Sequence, residues 1–341
     1  MAAERSTGHC SARAAIAGNP SDMYGGAVVA VPVRSVAASV TVVASEAFEL
    51  PGLDRSPSTI DELDNVVAAS GCGTVQPLVA ATLIALWRRL DADISPVSVE
   101  VSTAIPRGVG FAGSSAIVIA TIRALVQRQP GTTWARLLGT DPWVLAATAL
   151  HAETSVLGIA AGMQDRLVQS LGDNAFMDFS HRSTATDSSD SGRFRLLGPL
   201  PGAAFVAFRS DDASDSGAVH ARADTSTTSF DTAKAGLARA AHGAATAIDA
   251  YDARGLGIAM DATFDLRASC MDLDPAHVEM VHTARSQGAA ATYTGSGGAI
   301  TVLCTDRDHA SATAARLRND LGCQILPLPW TEARTTWRGT R

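Results

Sequence analysis

Residues 97–127 read VSVEVSTAIPRGVGFAGSSAIVIATIRALVQ. Over 97–105 Val alternates with polar groups, the pattern of a half-buried strand. From Ser114 to Gln127 the run is apolar enough for a buried helix. Between them, from Pro106 to Ala116, stand Gly108, Gly110 and Gly113 and the pair Ser114 and Ser115. Glycines let a backbone approach a ligand and turn its N–H groups inward, and the next helix adds unpaired N–H groups and a positive dipole end. Either serine can cap that helix or offer a hydroxyl to a cation. The segment is an anion cradle suited to a di- or triphosphate. Its plain alternative is a strand-to-helix turn with a serine cap.

Gly108, Gly110 and Gly113 also match a dinucleotide fingerprint, which needs an acidic residue about 20 positions on, at the tip of a second strand. The chain there reads GTTWARLL (131–138), with no acid and no strand pattern. Lys234 is the only lysine among 27 basic residues, and it stands in DTAKAGLARA. A Walker A loop places Lys after its glycines and a protein kinase needs a strand Lys, so both solutions are excluded. A formal charge of −7 argues against a general binder of nucleic acid or anionic membrane. The chain has 341 residues, 46% apolar and 18% charged, which suits two domains or one large one with a substantial core.

Cys10, Cys72, Cys270, Cys304 and Cys323 are odd in number, scattered and without CxxC spacing, as reduced thiols are. His277 and His282 lie five apart and do not share a helix face, so no metal-ligand cluster is expected. MAAERSTGHCSARA lacks the apolar core of a signal peptide, and no stretch reaches 18 apolar residues. A cytoplasmic location is therefore expected.

Working outward, ARAAIAGN (12–19) is an apolar start that runs into the turn-rich GNPSDMYGG (18–26). AVVAVPVRSVAASVTVV (27–43) reads as two strands with Pro32 at the irregularity. PLVAATLIALWRRL (77–90) is a helix opening on Pro; more helix covers 142–155 and AGMQDRLVQSL (161–171), and FMDFS (176–180) is a short strand. Residues 181–194 are polar and read as a linker or flexible loop. Beyond it come a strand at AAFVAFRS (203–210), helices at 231–254, 275–287 and 309–320, and a strand at AITVLCT (299–305). The expected division is α+β, with one domain over 1–185 and a second over 195–341.

PRGVGFAGSSA between strand and helix resembles the phosphate-binding motif of the GHMP kinases, the family of galactokinase, homoserine kinase, mevalonate kinase and phosphomevalonate kinase. ARAAIAGNPSDMYGG (12–26) resembles that family's first motif, and ATYTGSGGAITVLC (291–304) its third. Within the family the chain is most similar to glucuronokinases, through GNPSDMYGG, IPRGVGFAGSSAIV, LGIAAGMQDRLVQ with MDFS, FDLR (264–267) and TGSGGA. It departs from the plant pattern at Thr292, where a Lys commonly precedes the TGSGG loop, and at Ala268, where a second Arg commonly follows FDLR.

The resemblance implies a ribosomal-protein-S5-domain-2-like N-terminal domain and a ferredoxin-like C-terminal domain, with the site in the cleft between them. It implies ATP- and Mg²⁺-dependent phosphoryl transfer to a sugar or sugar acid, the favoured reaction giving glucuronate 1-phosphate from D-glucuronate. Asp165 takes the place of the catalytic Asp, and Arg13 that of the cation facing the transferring phosphoryl. Glu153, twelve residues before Asp165, and Ser115 take the places of the metal ligands. Pro106, Gly108, Gly110, Gly113, Ser114, Ser115 and Ala116, with Gly295, Ser296 and Gly297, take those of the nucleotide contacts. Asn19, Ser21, Asp22 and Tyr24 suit sugar hydroxyls, and Arg166 or Arg267 suits a uronate carboxylate. Two alternatives stay open: a GHMP kinase for another sugar or secondary-metabolite hydroxyl, and a non-catalytic sugar- and nucleotide-binding regulator.

Overall fold

The computed structural model describes residues 5–69, 77–180, 193–209 and 228–331. In chain order the strands are β1 Ser6–Ala17, β2 Ala27–Ala44, β3 Val97–Thr103, β4 Ala175–Asp178, β5 Arg193–Leu196, β6 Leu200–Pro201, β7 Ala203–Phe208, β8 Ala290–Tyr293, β9 Ala299–Cys304, β10 Gln324–Pro327 and β11 Trp330–Thr331. The helices are α1 Ile60–Ala69, α2 Leu78–Leu90, α3 Gly113–Arg128, α4 Thr133–Thr140, α5 Pro142–His151, α6 Met163–Leu171, α7 Thr228–Asp249, α8 Ala253–Cys270, α9 Pro275–Ser286 and α10 Arg307–Leu321.

These elements form two compact units that interleave along the chain. The first takes the residues up to Ala12, then Val36–Ile105 and Ala112–Gly172. The second takes Arg13–Ser35, Pro106–Phe111 and the chain from Asp173 onward. The glycine loop thus passes from one unit to the other at the Phe111–Ala112 peptide.

In the first unit β3 pairs antiparallel with β2, from Ala38↔Thr103 to Ala44↔Val97. Its alternation has the expected effect: Val97 and Val99 are buried and Glu100 is exposed. Every residue of α2 from Val79 to Leu86 is buried, because this helix is apolar all round and packs among α1, α3 and α5. α5 stops at His151 and continues as a single π turn, Ala152–Val156, where a helix to 155 was expected.

The second unit is built on a four-stranded antiparallel sheet in the order β10-β7-β9-β8. Both β7 and β9 are buried along their whole length, which is why they read as apolar runs, broken in β9 only by Thr301. Their side chains and those of α8, α9 and α10 make one core around Phe205, Phe264, Met280, Tyr293, Val302 and Leu317.

Three expectations are corrected. β2 is one strand of 18 residues, not two. Pro32 lies between the stretch that pairs β4, Ala27–Ala30, and the stretch that pairs β3, Ala38–Ala44. Its missing N–H therefore costs neither ladder a bond. The helix expected over 231–254 ends at Asp249, and a second begins at Ala253. The break is made by Tyr251 in the left-handed region at φ 55°, with Asp252 capping α8 through the N–H of Gly255. Residues 193 and 194 of the expected polar linker already belong to β5, paired with β4, and 181–192 lie outside the described residues.

Candidate functional site

The first unit gathers a polar cluster at the start of α3. The helix leaves Ala112, which holds φ 58°, and no side chain caps its first N–H groups. Neither serine is a cap. Ser114 Oγ donates to Glu153 Oε1 at 2.7 Å. Ser115 Oγ is fully buried and donates to Gln169 Oε1 at 2.7 Å and to the Ala112 carbonyl at 3.2 Å. Among the described residues no side chain therefore caps the positive dipole end of α3.

Glu153 is completely buried within the π turn, a geometry that recurs at functional positions. Its other oxygen, Oε2, accepts from Arg166 Nε at 2.7 Å and lies 2.5 Å from Nη2. Arg166 is 4% exposed, and its Nη1 donates to the Gly162 carbonyl at 2.9 Å. Removing either member would leave an uncompensated buried charge, so this pair is built to stay closed. Asp165 Oδ2 lies 3.5 Å from Arg166 Nη1, and part of the Asp165 side chain is in solvent. Of the residues expected here, Asp165, Glu153, Ser114 and Ser115 come together; Arg166, expected on a substrate carboxylate, is committed to Glu153.

The second unit gathers two glycine loops back to back. Gly108 and Gly110 hold φ of 70° and 74°. A Cβ on Gly110 would stand 2.8 Å from the Gly297 carbonyl, and one on Gly298 would stand 2.8 Å from Val109 Cα. At Gly110 and Gly298, glycine is thus required first by the other loop. Arg13, 5% exposed, ties the loops: its Nη1 donates to the Gly110 carbonyl at 2.6 Å and to the Thr294 carbonyl at 2.7 Å. Arg267, 1% exposed, donates to the Gly295 carbonyl at 2.7 Å and lies over the Tyr293 ring at 5.1 Å. Its Nε is buried without a hydrogen-bond partner. Burial pushes the Arg267 guanidinium down to about 10, and the like charge of Arg13 adds to the effect.

Asn19 and Ser21 are spent on holding this region, the first on the Gly295 carbonyl at 3.0 Å and the second on the Ala27 carbonyl at 2.6 Å. Tyr24 lies near both Asp22 and Arg267. Burial raises the Tyr24 phenol, Asp22 and Cys270 push it the same way, and Arg267 opposes them. Sequence reasoning missed Gln169, Cys270 and His277, whose Nδ1 accepts the Gly298 N–H at 3.1 Å. Only Gln169 carried a signal, standing four residues after Asp165 on one helix face.

A protein-family model described as the GHMP kinases N terminal domain matches residues 77–173. Glucuronokinase 1 of Arabidopsis thaliana is 31% identical over 316 residues, 86% of this chain and 84% of that protein. The chain belongs to the GHMP kinases. The phosphomevalonate kinase of Streptococcus pneumoniae in complex with phosphomevalonate and AMPPNP matches this GHMP kinase with TM-score 0.74 at 14% identity, over 96% of this chain and 100% of that one. The galactokinase of Lactococcus lactis complexed with galactose matches with TM-score 0.70 at 13% identity, over 95% of this chain and 93% of that one. Both likenesses carry the α+β GHMP kinase fold. This GHMP kinase is a phosphotransferase with an alcohol group as acceptor. No described helix is long and apolar enough to cross a membrane.

Proposed function

We propose that this GHMP kinase moves the γ-phosphoryl group of Mg²⁺·ATP to the anomeric hydroxyl of D-glucuronate or a related sugar acid. The relative named glucuronokinase supports the acceptor class. The observation that carries it is the buried guanidinium of Arg267, which donates to the Gly295 carbonyl in the loop of Gly295, Ser296 and Gly297. Arg267 bonds backbone carbonyls, which offset little of its charge, and its Nε is a buried donor that a carboxylate would satisfy. Asp22 and Tyr24 alongside would take sugar hydroxyls.

Phosphoryl transfer asks a protein for positioning and charge neutralisation. In this reading the first N–H groups of α3 hold the phosphates. Among the described residues no three acidic, His or Cys side chains gather as a metal cage. Ser114 Oγ and Glu153 Oε1, 2.7 Å apart, are nonetheless two hard oxygens of the kind Mg²⁺ takes when phosphates and water complete its shell. Bound there, the ion would neutralise charge on the β- and γ-phosphates. Ser114 replaces Ser115 in this role, because the Ser115 hydroxyl is buried against Gln169. Asp165 orients the attacking hydroxyl and accepts its proton.

A coupled ADP-release assay with D-glucuronate, D-glucose, D-galacturonate and D-galactose tests the reading. A site that pairs a carboxylate should prefer glucuronate over glucose by at least about 10³ in kcat/KM. Equal use of the two, or use of neither while another alcohol is phosphorylated, refutes the sugar-acid assignment.

A further inference from the structure

We infer that Gln169 is a positioning residue that presets the phosphate-binding start of α3. The inference rests on the reading of that helix end as a phosphate site. Gln169 is 1% exposed and uses its whole amide. Oε1 accepts from Ser115 Oγ at 2.7 Å, while Nε2 donates to the Ala112 carbonyl at 3.0 Å and to the Ser11 carbonyl at 3.1 Å. Only one amide orientation satisfies this set, since a flipped group would point its oxygen at two carbonyls. The main-chain oxygen of Gln169 also accepts from Arg123 Nη2 at 2.9 Å, so the residue is held at both ends.

What it holds is a strained peptide. Ala112, a non-glycine residue at φ 58°, occupies a region that L side chains leave unless the surroundings prevent it. Its carbonyl receives Gln169 Nε2, Ser115 Oγ at 3.2 Å and the Ala116 N–H at 3.2 Å. The plane of the Ala112–Gly113 peptide sets where the first N–H groups of α3 point, and with them the Ser114 hydroxyl that meets Glu153. Gln169 also stands one turn after Asp165 on α6, on the same face. A single side chain therefore registers the helix of the proposed base against the helix of the proposed phosphate site.

The experiment measures binding of AMPPNP, with Mg²⁺, and of adenosine by calorimetry for the wild type, Gln169→Glu and Gln169→Met, with thermal unfolding alongside. Glu keeps the size and loses both N–H donors; Met removes the polar group without adding charge. In both variants AMPPNP affinity should fall at least about tenfold, while adenosine changes by less than about twofold. Folded variants that keep the wild-type preference for AMPPNP, or lose both ligands in equal proportion, overturn the inference. Should both variants fail to fold, Ser115→Ala removes only the hydroxyl. It should cost AMPPNP about threefold or more and adenosine nothing, and unchanged AMPPNP affinity overturns the inference. A wild type that binds AMPPNP no more tightly than adenosine instead fails the phosphate reading itself.

Discussion

The two polar regions treat their arginines in opposite ways. In the first unit Arg166 bonds a carboxylate, and Glu153, Ser114, Ser115 and Gln169 bond one another through side chains. In the second, Arg13, Arg267 and Asn19 bond the carbonyls of two glycine loops. A guanidinium on a carboxylate loses its field and fixes an oxygen's direction; a guanidinium on carbonyls keeps its charge and fixes a backbone. The first region thus holds its oxygens in fixed directions, and the second holds the backbone of its two loops.

The largest expected effect probes Asp165, the proposed base of the first region. Asp165→Asn should lower turnover by roughly 10²–10⁴ while AMPPNP binding and the melting curve hold. Turnover within tenfold of wild type would remove Asp165 from the chemistry. Next comes the contrast itself. Arg166→Ala leaves Glu153 buried and unpaired and should cost about 3–5 kcal/mol in urea unfolding. Arg267→Met abandons carbonyls but also relieves a buried cation, so about 1–3 kcal/mol is expected. The reverse ranking breaks the comparison. The smallest effect sharpens it: Gly110→Ala should cost more than about 1 kcal/mol, through its φ of 74° and the Gly297 carbonyl. Gly131→Ala, with nothing within 4 Å of its added Cβ, should be close to neutral in the same measurement.

Much of this was readable from local pattern. The Val alternation of β3, the unbroken apolar α2 and the strand, loop and helix around Gly108–Gly113 all carry their own period or punctuation. What escaped depends on distant partners. Pro32 looked like a strand end because nothing in sequence tells which edge of β2 goes unpaired there. Tyr251 and Ala112 break or start helices in the left-handed region, where glycine is the usual signal. Gly110, read as room for a ligand, also faces the Gly297 carbonyl of another loop. Among the site residues, Asp165, Glu153 and Ser114 are proposed from motif. The use of Arg166 and Gln169 does not follow from it, since only the fold decides which neighbour a buried donor meets.

Synthesis adds a calendar to the interleaved architecture. A ribosome delivers the chain from its N-terminus, and the unit holding α2, α3 and α6 has all its segments once Gly172 has emerged. At that moment the other unit owns only Arg13–Ser35 and Pro106–Phe111 of its earlier segments. Arg13 must then wait for Thr294, 281 positions later, before the second of its two carbonyls exists. A nascent chain stalled near the end of the first unit would hold the Glu153–Arg166 pair and the Gln169 network already closed. Its glycine loop would be anchored at the helix end and unsupported at the other, so the carboxylate network is finished before the loop of Gly295–Gly298 has been translated.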